Sequence, residues 1–219
     1  SNGDAFFCRT RAQASTILWT WCSSEGLENG LPEGCCVLTG VPDIHEVDPE
    51  GKMGMDGWEQ WFQHIVQLVL RRLPKGSLAI FMQTDVKQLS RGGGSVSQGS
   101  ALGGASGSEE GRYWRWVDKA HLALLAAEKV PGSRLLWHKI IFSGNLSGGG
   151  GRNSGVAGYS HYLCFTVGDE LEPIDSFPFP DVLRKGLTTW IAGSGAQSLE
   201  EVISYLRVRG CKLVVDPFC

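Results

Sequence analysis

Apolar residues recur along this chain with two periods, and the switches between them outline its elements. Cys35 to Thr39, within GCCVLTGVPDI, is a short unbroken apolar run that reads as a buried strand, broken by Pro42. Trp58, Trp61, Phe62, Ile65, Val69 and Leu73 then fall on one helical face. Asp56, with Glu59 three residues on, is the expected N-cap of that helix, and PKG ends it. SLAIFMQTD carries a continuous apolar run, Leu78 to Met82, as expected of a parallel strand covered on both faces. WVDKAHLALLAAEKV predicts a helix and RLLWHKIIF a strand. YSHYLCFTV predicts a second strand, pairing back antiparallel on RLLWHKIIF across a long loop. Ser198 with Glu201 forms a capping box for SLEEVISYLRVRG, Gly210 stops that helix, and KLVVDPF follows as a strand.

Strands that alternate with helices in this way predict an α/β layered sheet with helices on both faces. At 219 residues and 42% apolar content the chain is expected to form one domain, 1–219, around a sizeable core. Many of the thirty glycines fall in two tracts, 89–111 and 143–158. Such Gly/Ser-rich tracts bury too little apolar surface to offset ordering entropy, so both are expected to be flexible insertions. Neither has the GxGxxG or GKS spacing, between a strand and a helix, that a phosphate-cradling loop needs.

A net charge of -3 and a pI near 6 give no global nucleic-acid signature, although a local basic patch is compatible with them. Seven cysteines, an odd number without a CxxC pair, point to free thiols in a reducing, intracellular compartment, with cytoplasm, nucleus and organelle left open. No stretch approaches the ~20 apolar residues of a membrane span, so no membrane partner is expected. No His or carboxylate stands at metal spacing from His161, and no metal is expected.

The order of these elements, with particular words in them, resembles the circularly permuted class of S-adenosylmethionine-dependent amino methyltransferases that modify adenine or cytosine. VVDPFC is similar to the opening of that family's cofactor motif, DPFxGxGT. TGVPD stands where the family has a polar residue followed by Pro-Pro-aromatic, and LLWHKIIF looks like its Trp-x-Lys strand. The resemblance implies a Rossmann-like methyltransferase sheet in permuted order, incomplete at the cofactor half because the chain stops before GxGT. It implies S-adenosylmethionine as cofactor, with Thr39, Asp216, Pro217 and Phe218 at its site, where the ends of the CCVLT and KLVVD strands lie side by side. Pro42, Asp43 and His45 are the implied catalytic residues. Trp114, Trp116, Lys139 and His161 are the expected substrate contacts, and RNA or DNA the expected partner.

Asp43 replaces the aromatic of the family motif, which leaves the target atom open. Asp43→Ala is expected to abolish transfer in a completed chain while leaving the melting temperature nearly unchanged. Lys139 has an alternative as a solvated lysine, and His161 as a satisfied histidine. Two rival functions stand beside the enzyme. One is a non-catalytic binding or assembly module on the same sheet; the other is a nucleic-acid module built on RYWRWVDK, in which Tyr113, Trp114 and Trp116 stack on bases. The 219-residue chain is expected to bind S-adenosylmethionine weakly or not at all, and to dimerise or recruit a partner chain along the edge at Leu213 to Phe218.

Overall fold

The computed structural model describes residues 31, 34–91, 112–142, 157–169, 171, 180–188 and 193–218. In chain order its elements are β1 (Cys35–Thr39), α1 (Ile44–Val47), α2 (Gly54–Arg72), β2 (Leu78–Gln83), β3 (Val86–Arg91) and β4 (Arg112–Val117). They continue as α3 (Lys119–Glu128), β5 (Ser133–Phe142), β6 (Tyr159–Val167), β7 (Val182–Arg184), α4 (Ala196–Val208) and β8 (Leu213–Val215). A six-stranded sheet runs β7-β5-β6-β2-β1-β8, and β3 and β4 form a separate hairpin.

The sheet joins the two ends of the described chain. β1 pairs parallel with β2, Cys36 opposite Leu78, and parallel with β8 on its other side, Val37 opposite Val215. β6 runs antiparallel to β5, as the hairpin pattern predicts, and also to β2, with His161 opposite Gln83 on one side and Ile140 on the other. The short edge strand β7 has no periodic signal in the sequence; it pairs parallel with β5.

Side chains alternate across this sheet and bury into two cores. Val37, Ala79, Phe81, Leu163 and Phe165 face α2 and α3, and Cys36, Leu78, Ile80, Tyr162 and Cys164 face α4. The fold is therefore α/β with helices on both faces. α2 contributes Trp58, Phe62, Ile65, Val66, Val69 and Leu70, all at most 2% exposed. Truncating a ring as deeply buried as Phe62 costs about 3–5 kcal/mol. Among the described residues no helix is long and apolar enough to cross a membrane.

Several local expectations are corrected. α2 starts at Gly54, before Asp56, because Asp48 takes over its N-terminus: its carboxylate accepts hydrogen bonds from the Lys52, Met53 and Gly54 amides at 2.8, 2.6 and 3.3 Å. Asp56 and Glu59 instead receive the Arg115 guanidinium, at 2.8 and 2.7 Å, and so tie the β3–β4 hairpin to α2. α4 starts at Ala196, and Ser198 lies inside it, donating to the Gly195 carbonyl. Trp116 and Val117 belong to β4 and not to the next helix, since Asp118 caps α3 by accepting from the His121 amide at 2.9 Å. Of the tract 89–111, residues 89–91 are strand, paired with 112–114. Of the tract 143–158, Ala157 is buried. The rest of both tracts lies outside the described residues, apart from Gly158.

Candidate functional site

The carboxyl ends of β8, β1 and β2 lie at one edge of the sheet, and the amino end of antiparallel β6 joins them there. Open α/β sheets form sites at such edges, where strand ends leave backbone groups and side chains unclaimed by the ladder. At the first step, Thr39 Oγ1 donates to Asp216 Oδ1 at 2.5 Å, and the Phe218 amide donates to the same oxygen at 3.0 Å. Asp216 is exposed over the residue as a whole, but its carboxyl end is tucked against buried Thr39. That burial pushes its pKa up, against the two hydrogen bonds that pull it down. Pro217 is buried, and Phe218 packs against the α2–α3 core.

β1 leaves the sheet through Gly40, where a Cβ would stand 3.2 Å from the Met82 carbonyl oxygen. The chain then passes Val41 and Pro42 to Asp43, which precedes the four-residue α1. Two helices pin this segment. From α2, Trp58 Nε1 donates to the Pro42 carbonyl at 3.2 Å. From α3, Lys119, 3% exposed, donates its ammonium to the Val41 carbonyl at 3.2 Å and to Asp43 Oδ1 at 2.5 Å. The same ammonium lies 5.9 and 5.7 Å from the centroids of the Trp58 and Phe62 rings. A lysine this buried must be paired, so Asp43 is committed to an ion pair and not poised as an unencumbered base. Its neighbour His45 is exposed on α1 and takes part in none of these bonds.

Beyond β2 comes Asp85, 4% exposed, which the sequence pattern did not single out. Its Oδ1 accepts the Lys119 amide at 3.0 Å, and its Oδ2 faces Trp116 Nε1, the Tyr159 hydroxyl and His161 Nε2, each at 3.3 Å. Burial pushes its pKa up, but the bonds from His161, the Lys119 amide and Trp116 hold it below the usual carboxylate range. An ionised carboxylate only accepts, so His161 carries its proton on Nε2 and offers Nδ1 to His138 Nε2, 2.9 Å away on β5. The polar contacts thus form two groups along this edge, Thr39 with Asp216, and Asp43 through Lys119, Asp85 and His161 to His138.

Of the residues singled out from sequence, the structure brings together Thr39, Asp216 and Phe218, and separately Pro42, Asp43 and Trp116 around Lys119 and Asp85. It does not bring Lys139 to them. Lys139 stands opposite Tyr162, so its side chain belongs to the α4 face, where it is buried and bonds Asp181 at 2.7 Å. It is therefore neither a contact at this edge nor a solvated lysine. His161 is 8% exposed and held by Asp85 and His138, a buried member of the network and not an open substrate contact. Trp116 is 45% exposed, while Trp114 lies on β4 opposite Leu89.

No family model matches the chain, and no curated protein matches it in sequence. Among solved structures it is similar to a "Putative DNA Modification Methylase" from Thermus thermophilus, seen in three crystal structures. The selenomethionine derivative has a TM-score of 0.48 and 16% identity, covering 86% of this chain and 73% of that one. The complex with S-adenosyl-L-methionine has a TM-score of 0.47 and 14% identity, covering 85% and 72%. A third structure gives 0.46 and 14%, covering 86% and 73%. At these values the likeness is one of chain path, and the site rests on its own geometry.

Proposed function

We propose that this chain is a methyltransferase-like protein that binds S-adenosylmethionine at the joined ends of β1 and β8 and acts on nucleic acid. The observation that carries this reading is the Thr39–Asp216 bond, which sets an acid at the carboxyl end of β8 beside the end of β1, in the word DPF. The residues present fit the amino-acid end of the cofactor: a half-tucked carboxylate suits an ammonium, and the buried Pro217 and partly buried Phe218 hold its backbone still. When bound, the cofactor supplies an electrophilic methyl group on a sulfonium.

What the chain's own residues supply is alignment, the main requirement of a displacement at a methyl carbon. Lys119 and Trp58 fix the Val41–Asp43 segment, so that its backbone presents a rigid wall beside the cofactor end. Asp43, with one oxygen on Lys119, keeps the other able to accept from an exocyclic amine and thereby orient it. Trp116, anchored through its Nε1 on Asp85, offers an exposed indole face for stacking a base.

The ion pair that occupies Asp43 is also the observation that favours a second reading, a binding module without turnover. Titration of the protein with S-adenosylmethionine, followed by NMR so that weak association is read, separates these readings. Shifts centred on Thr39, Asp216 and Phe218, together with methyl incorporation into RNA or DNA, are the expected result. Shifts without incorporation favour the module, and no shifts at that edge refute the cofactor assignment.

A further inference from the structure

The network around Asp85 has the composition of a metal centre. One ligand atom each of Asp85, Asp118 and His161 lies within 4.8 Å of the others, although the three residues come from the end of β2, the cap of α3 and the start of β6. Ligand atoms bound at about 2.0–2.2 Å to a zinc-sized ion stand roughly 3–3.5 Å apart. His161 Nε2 and Asp85 Oδ2, at 3.3 Å, already have that spacing.

Each ligand is held from behind. Asp85 Oδ1 accepts the Lys119 amide and Asp118 Oδ1 the His121 amide, while Asp85 Oδ2, the oxygen that faces His161, also meets Trp116 Nε1 and the Tyr159 hydroxyl at 3.3 Å, donors that an ion on this oxygen would displace. His161 meets His138 Nε2 through its remaining ring nitrogen at 2.9 Å; with an ion on Nε2, Nδ1 would carry the proton and donate to His138, which stands where a carboxylate, carbonyl or water more often accepts. Lys119 has its ammonium on Asp43, so that ammonium does not neutralise the two carboxylates that meet His161.

A second observation comes from Gln83. It is 1% exposed, and neither atom of its amide has a hydrogen-bond partner among the described residues. It stands directly opposite His161 in the ladder, so its Cβ is about 5 Å from that of His161. A buried amide left unsatisfied costs about 1–3 kcal/mol, and a metal ion or its bound water gives the carbonyl oxygen a partner.

We infer that Asp85, Asp118 and His161 bind one divalent transition-metal ion, with Gln83 as an additional oxygen donor and His138 as the outer partner of His161. Two carboxylates, an imidazole and an amide oxygen suit Mn2+ or Zn2+. Mn2+ is the better probe because the chain's thiols prefer softer ions. Chelator-treated protein titrated with Mn2+ alone, followed by electron paramagnetic resonance, is expected to bind one ion with micromolar affinity. Asp118→Asn retains a good helix cap and so keeps the fold, which circular dichroism checks. That variant and His161→Asn should each weaken binding by about tenfold or more, as should His138→Phe through the outer shell. Affinity unchanged in Asp118→Asn and His161→Asn, or no binding up to millimolar Mn2+, overturns the site. Neither result depends on methyl transfer.

Discussion

Thr39 and Asp216 stand 177 residues apart in the chain and 2.5 Å apart in space, hydroxyl to carboxylate, across the parallel pairing of β1 with β8. This bond closes the sheet edge on which the proposed site is built.

Asp216 should make stability pH-dependent in a defined direction. Burial raises its pKa in the fold above its unfolded value, so folding favours the protonated form. Its contribution is fully present below the unfolded pKa and is lost as pH rises through the folded one. Thermal melts from pH 3 to 8 should therefore show the wild type losing stability relative to Asp216→Asn as pH rises from the ordinary carboxylate range. Parallel curves would place the carboxyl in water.

Asp43 should matter for stability, against the expectation drawn from sequence. Asp43→Ala leaves the Lys119 ammonium, 4% exposed in its side chain, without its carboxylate. A loss of about 2–4 kcal/mol is expected, below the upper range for buried pairs because the Asp43 side chain is 44% exposed. Lys119→Met in the same background should recover part of it. Urea denaturation of the two single variants and the double variant measures the coupling.

Gln83→Met should stabilise the metal-free protein by about 1 kcal/mol, because it removes a buried amide that has no partner among the described residues while conserving volume. Destabilisation on denaturant melts would mean that the amide is satisfied in solution.

Among the four described cysteines, Cys211 should alkylate first. Hydrogen bonding from Cys36 lowers its pKa, whereas the same contact and burial push Cys36 up, and burial raises Cys35 and Cys164. Peptide mapping after brief iodoacetamide treatment at pH 7.5 reads the order, and prior modification of Cys164 would contradict it.

The sequence determined what local periodicity can determine: the α/β class, the apolar face of α2 from Trp58 to Leu73, the strand β6 from Tyr159 to Val167, and the DPF word at the end of β8. These follow from spacing of 3.6 or 2 along a segment, which the segment itself encodes. Helix starts were less legible, since Asp48 and Asp118 compete with other acids of similar spacing and only backbone geometry decides which one caps. Tertiary structure alone decided that Asp85, Lys119, His138 and His161 meet. They lie on separate elements, and their contact depends on the register of β6 against β2 and β5 and on the seating of α3. It also decided that Lys139, one residue from a site-facing position, turns to the opposite face. A polar residue's partner is set by the low-dielectric interior that folding creates, where an unpaired charge is costly; the chain's sequence specifies the charge, and only packing supplies its counterpart.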